Sequence, residues 1–260
     1  MRIAMGIEYD GSGFRGWQRQ SHDRNTIQQA VEEALSRVAN HPVEVICAGR
    51  TDAGVHASGQ VIHFDTHAQR DARAWTFGTT TNLPKSVAAL WAIPVPEAFH
   101  ARFSAQRRAY RYVIFTRDMR PTFLARRVSW NHRPLDLARM QAAAQALLGE
   151  HDFTAYRTVA CQAKSPVRTI HQLELSQQGP YIFMDIEANG FLHHMVRNIA
   201  GVLMAIGAGD HPVEWSGEVL AGRDRTQGGV TAPAGGLYLS RVSYPDEFAI
   251  PSLSPPAPVW

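Results

Sequence analysis

Val43-Glu44-Val45-Ile46-Cys47-Ala48, then Gly49-Arg50-Thr51-Asp52-Ala53-Gly54-Val55-His56-Ala57, then Gln60-Val61-Ile62-His63-Phe64-Asp65 run almost without interruption. The outer two stretches are apolar runs of strand length, and the middle one is a polar turn bounded by glycines. Strands that follow one another without a helix between them pair antiparallel, which contradicts a doubly wound parallel sheet. In the turn, a carboxylate and a guanidinium sit two residues apart. Glycines on either side permit backbone angles closed to other residues and let a bulky partner approach the main chain. An acid on such a strand-to-loop turn is a candidate nucleophile. The plainer reading is a surface turn with an Arg50–Asp52 ion pair.

Working outward, Ile3–Tyr9 alternates as a strand, and a helix follows from Thr26 with Ile27, Ala30, Val31, Ala34, Leu35 and Val38 on one face. Thr26-Ile27-Gln28-Gln29 predicts a capping box at its start. The stretch 43–48 and the stretch 60–65 are strands, then come a weaker helix from Asp71 and a strand over 87–93. The second half repeats the order: a strand at 110–115, a helix over 136–148 closed by Gly149, strands at 171–175 and 181–188, a helix over 193–206, and a last strand over 237–244. Each half reads β-α-β-β-α-β, the ferredoxin-like arrangement. The expected fold is α+β: two such halves forming a large, mainly antiparallel sheet, with helices packed on it and a cleft between the halves. The expected division is 1–104, 105–246, and a proline-rich tail over 247–260 that is extended or loosely attached.

The chain has 260 residues and a net charge of +3, and its apolar and charged fractions are those of a globular protein. The longest apolar stretch, around 200–208, is too short to span a bilayer, and the N-terminus enters a strand without a signal peptide's apolar region. Cys47 and Cys161 are the only cysteines, each within an expected element, which suits a reducing cytoplasm rather than a disulfide framework. Of the 26 basic residues only Lys85 and Lys164 are lysines. Arginine suits phosphate contact and base stacking, although compositional bias toward arginine and alanine accounts for most of the ratio.

Gly11-Ser12-Gly13-Phe14-Arg15-Gly16 matches the dinucleotide-binding pattern after a strand, but its third glycine leads into Trp17-Gln18-Arg19-Gln20 and not into a helix. A basic, glycine-rich loop with an aromatic residue suits RNA better than pyrophosphate. His56, His63, His67, His193 and His194 lack the spacing of a metal site, and no metal is expected. No G-x-S-x-G elbow occurs. Asp185 and Glu187 alternate with Ile182, Met184 and Ile186, as an exposed strand face does. In Arg107-Arg108-Ala109-Tyr110-Arg111-Tyr112, the two tyrosines share one face of a strand and Arg111 takes the other. Aromatic rings between arginines form a stacking platform for an unpaired base, or else half-buried core tyrosines. Arg197, near a helix start in Asn189–Asn198, could flank the core and reach an acidic partner, or stay solvated.

Taken together, these segments resemble the TruA family of tRNA pseudouridine synthases. The resemblance rests on Gly6–Gly11, Gly16–Gln20, Cys47–His56, Asn82-Leu83-Pro84, Phe99–Phe103, Arg111-Tyr112, His193–Asn198 and Gly236–Leu239. It implies an isomerase that converts uridine to pseudouridine at positions 38, 39 and 40 of the tRNA anticodon stem-loop. It implies a cytoplasmic homodimer holding one tRNA across both subunits, with no cofactor and no membrane. By matching motif, Asp52 is the nucleophile, Tyr110 stacks on the target uracil, and Arg197 ion-pairs with Asp52. Arg50 helps extrude and hold the flipped nucleotide, and Leu237 lines the base pocket. The alternative is a non-catalytic RNA-binding protein on the same scaffold.

Overall fold

The computed structural model describes residues 1–251. These divide into two compact units, Met1–Arg107 with the chain from Tyr238 on, and Arg108–Leu237. The fold is α+β, with ten mainly antiparallel strands and five α-helices among the described residues.

In the first unit the order is β1 (Arg2–Tyr9), α1 (Ile27–Ala39), β2 (Ile46–Cys47), β3 (His56–Asp65), α2 (Ala72–Asn82) and β4 (Val87–Val95). This is the expected β-α-β-β-α-β order. β1 lies between two antiparallel neighbours, with Ile3 opposite Phe64 of β3 and Ala4 opposite Ile93 of β4. The Thr26 side chain accepts the Gln29 N–H at 3.3 Å, as a helix N-cap should. The reciprocal half of the capping box is not made, because the Gln29 side chain bonds Glu33 instead. Ile27, Val31, Ala34 and Leu35 of α1 are buried, and Trp75 of α2 meets Phe64 edge-on at 5.2 Å. The two helices close on each other at Gly78, where a Cβ would stand 3.2 Å from a Val38 methyl.

The expected strand over 43–48 survives as two paired residues. Val43, Val45 and Cys47 do turn inward, but the Val45 N–H goes to the carboxylate of Glu32, a buried helix residue, rather than to a neighbouring strand.

The second unit holds β5 (Arg107–Thr116), β6 (Ser129–Asn131), α3 (Leu137–Ala144), β7 (Gly149–Asp152), β8 (Val167–Gln178), β9 (Tyr181–Ala188), α4 (Met195–Gly207) and α5 (Trp215–Gly222). Its strands run β5-β9-β8-β7, all antiparallel, with β6 parallel beside β5. Three of these elements, β6, β7 and α5, have too few residues to show a period. The helical stretch after Asp136 loosens to a 3-10 turn at Gln145–Leu147 before Gly149 reverses the chain at φ 92°. α4 starts two residues later than expected, because His194 ahead of it takes a left-handed φ of 63°.

Two expectations of placement fail. Cys161 lies in a loop, not in a regular element, and Glu187 is buried rather than on an open strand face. The expected division places the last strand, β10 (Leu237–Ser243), with the second half. From Tyr238 on it belongs with the first unit, where Tyr238 and Leu239 run parallel to His56 and Ala57 of β3. Where the proline-rich tail begins, Asp246–Phe248 forms a 3-10 turn, and the Phe248 ring rests against Phe99 at 5.2 Å. Residues 252–260, with Pro255, Pro256 and Pro258, lie outside the described residues.

Candidate active site

In the first unit, the turn bearing Asp52 is pinned by main-chain and side-chain bonds on either side of it. Residues 11–17 approach it closely. Trp17 N–H donates to the Thr51 carbonyl at 2.9 Å, and Gly11 N–H donates to His56 Nδ1 at 3.1 Å. The approach needs glycine twice: a Cβ on Gly16, whose φ is 93°, would stand 2.9 Å from the Thr51 carbonyl oxygen, and one on Gly11 would collide with the Val55 carbonyl. The loop is itself anchored to α1, whose Ile27 and Gln28 N–H groups donate to the carbonyls of Gly16 and Trp17. The third glycine of the G-x-G-x-x-G stretch thus serves a close main-chain approach, not a phosphate cradle.

Within the turn, Val55 N–H closes back on the Asp52 carbonyl at 3.1 Å, and Gly54 supplies the left-handed φ of 80° that this requires. Gly49 does not use that region, contrary to the expectation that both glycines serve conformation. Its N–H and carbonyl are both held by the side chain of buried Gln60. The Thr51 hydroxyl meets that of Tyr9 at 2.8 Å. Asp52 is half-buried. Arg50 is exposed. Behind the turn, His56 is buried and stacks on Tyr238 at 4.6 Å.

The other three candidates lie in the second unit. Tyr110 and Tyr112 face one side of β5, as alternation requires. Tyr110 is buried with its ring edge-on to Phe191 at 5.1 Å. Arg111, on the opposite side, makes a bidentate pair with Asp185 of β9, each bond 2.8 Å. That pairing gives Asp185 a structural partner across the strands. Arg197 sits in the first turn of α4, and its Nε–H donates to the Ala232 carbonyl at 2.8 Å, while Ala232 N–H returns a bond to the Arg197 carbonyl. The next carbonyl, of Pro233, accepts the Tyr112 hydroxyl at 2.8 Å. Burial pushes the Tyr112 phenol well above its usual range. Arg197 and Tyr112 therefore hold adjacent residues of the segment that delivers Leu237, which is buried at the start of β10.

Arg50 and Asp52 thus share one turn, and Arg197 and Leu237 are tied through one segment. The sequence reading gave no supporting role to Tyr9 or Gln60, and it named Tyr112 and Asn198 without the partners they meet. Asn198 donates to the Tyr156 carbonyl and accepts from Arg225 and Thr231. In sequence a polar residue inside an apolar element carries no sign of the partner it will meet.

Among the described residues no helix is long and apolar enough to cross a membrane. A family model described as tRNA pseudouridine synthase matches residues 5–104 and 143–245. The chain is 60% identical over 260 residues to tRNA pseudouridine synthase A of Nitrosococcus oceani, covering all of both chains. It is 60% identical over 250 residues to the protein of that name from Pseudomonas aeruginosa, covering 96% of this chain and 88% of the other. The corresponding Alcanivorax borkumensis protein is 56% identical over 259 residues. A half-buried acid on a pinned turn and a braced aromatic ring are thus found in a chain that belongs to the tRNA pseudouridine synthase family of isomerases.

Proposed function

We propose that this enzyme isomerises uridine to pseudouridine at positions 38, 39 and 40 of the tRNA anticodon stem-loop, with Asp52 as nucleophile. The observation that carries the reading is the Asp52 turn. A carboxylate is held half-buried on a loop that closes on itself through Val55 N–H and whose residues 49 and 51 are bonded to Gln60, Tyr9 and Trp17, as a group that must meet its target in one geometry requires.

The chemistry needs one such group. The N1–C1′ bond breaks, the uracil turns, C5 bonds to C1′, and the proton on C5 leaves while N1 gains one. Nothing is added or lost overall, so neither a redox cofactor nor an activated water is consumed. An ionised Asp52 attacks C1′, adds to uracil C6, or promotes elimination to a glycal. The target nucleotide must leave its stack first. Tyr110, its ring braced by Phe191, stacks on the extruded uracil; Arg50, exposed beside the acid, helps extrude and hold the nucleotide. Arg197 binds the substrate and Leu237 lines the base pocket. The enzyme works in the cytoplasm as a homodimer holding one tRNA across both subunits.

The test is release of label from unmodified tRNA carrying hydrogen-labelled C5 of uridine. The wild type should release it from positions 38, 39 and 40, and Asp52→Asn should release none while binding tRNA nearly as well. A wild type that binds tRNA but releases no label is instead a non-catalytic RNA-binding protein. An active Asp52→Asn would remove the assignment of the nucleophile.

A further inference from the structure

We infer that Gln60 is a positioning residue for the reaction, acting on the Asp52 turn together with the hydroxyl pair Tyr9–Thr51. The inference rests on the reading of Asp52 as nucleophile and adds what holds it in place.

Gln60 is on β3, fully buried with no exposed surface, three residues beyond Ala57. Its carboxamide engages both main-chain groups of Gly49: Nε2 donates to the Gly49 carbonyl at 2.6 Å, and Oε1 accepts the Gly49 N–H at 3.4 Å. A side-chain amide here does what a neighbouring strand would do for the backbone. It takes over where regular pairing stops, since β2 ends at Cys47 and Ala48 N–H makes the last ladder bond, to Val61. Gln60 Nε2 also lies 3.5 Å from the Tyr9 hydroxyl, which meets the Thr51 hydroxyl at 2.8 Å. Tyr9 and Thr51 are both buried. One polar cluster therefore fixes the residues on either side of Arg50, the second of them adjacent to Asp52.

A buried carboxamide satisfied on both ends costs little, whereas the same group left unpaired is expensive, so the cluster holds one arrangement rather than several. Apolar residues at 9, 51 and 60 would pack the same space but leave the Gly49 groups without partners and the turn free to shift. Displacing a reacting group by roughly 1 Å costs up to about a hundredfold in rate.

The experiment measures single-turnover pseudouridine formation on tRNA at saturating enzyme, where the rate constant does not depend on the fraction of active protein, beside tRNA Kd and Tm. Gln60→Leu should slow the step about tenfold or more with Kd within about threefold of wild type. Because that variant can fail to fold, Tyr9→Phe, Thr51→Val and their double variant are measured as well. Each single change should slow the step, and the double should be little slower than the worse single, since both remove one shared bond. Wild-type rates in the folded variants, with only Tm lowered, would make the cluster merely structural and overturn the inference; so would additive losses in the double variant. Asp52→Asn in the same assay separates the two claims. If it is active, the nucleophile reading fails; if it is inactive while the Gln60, Tyr9 and Thr51 variants keep their rate, only the positioning role fails.

Discussion

Gly16 lies so close against Thr51 that the Thr51 carbonyl oxygen would stand 2.9 Å from any Cβ at position 16. The contact joins the loop anchored on α1 to the turn that carries Asp52. It also carries a φ of 93°, which a residue with a Cβ rarely adopts.

Gly16→Ala should therefore cost about 1–3 kcal/mol of stability and reduce activity further than that loss explains. Gly13→Ala is the matched control, because its added methyl would meet nothing within 4 Å. Denaturant unfolding and pseudouridine formation on the two variants should separate them cleanly.

Tyr112→Phe removes the hydroxyl that the Pro233 carbonyl accepts from a fully buried ring. Stability should fall by about 0.5–1.5 kcal/mol with the fold retained. Because the same segment leads to Leu237, the Michaelis constant for tRNA should rise. An unchanged constant would mean that Arg197 alone holds this segment.

His63 is buried on β3, accepts the Ala101 N–H at 3.1 Å, and faces Arg2, His100 and Asp65. Burial, and then the Arg2 charge, push its imidazole down to about 4 from 6.5. The unfolded chain binds a proton there that the folded protein refuses, so stability falls as pH drops from 6.5 toward 4 and does not depend on His63 above that window. His63→Asn keeps an acceptor for Ala101 and should flatten this limb of a stability–pH curve. An equally steep limb in the variant would assign the slope to other groups, of which His100, also lowered, is the nearest.

Burial pushes the Cys47 thiol up to about 12, whereas Cys161 lies half-buried in a loop. Near pH 8 a thiol reagent should modify one cysteine of the native protein, Cys161, and both after unfolding. Rapid modification of two thiols in the native state would contradict the placement of Cys47.

The main elements of the first unit were legible in the sequence because periodicity reports which side of a segment faces the core, and Thr26 and Asp71 announce their helices through capping chemistry. Short elements were not. β2, β6, β7 and α5 carry too few residues for a period, and the membership of β10 depends on a parallel pairing between residues some 180 positions apart. Asp52, Arg50 and Tyr110 could be singled out as candidates from local pattern, but the partners that surround them could not. Tyr110, for one, leans on Phe191.

By itself the sequence determined the order of the longer strands and helices, the antiparallel step after α1 and a single acid on a glycine-bounded turn, all properties of neighbouring residues and their periods. Only tertiary structure decided what holds that acid. The amide of Gln60 closes on Gly49, the hydroxyl of Tyr9 on Thr51, and the main chain of Trp17 on Thr51, each across a gap that local pattern does not report. The physical reason is that a buried polar group is satisfied by whichever partner the packed chain brings within about 3 Å, and nothing short of the fold specifies that partner.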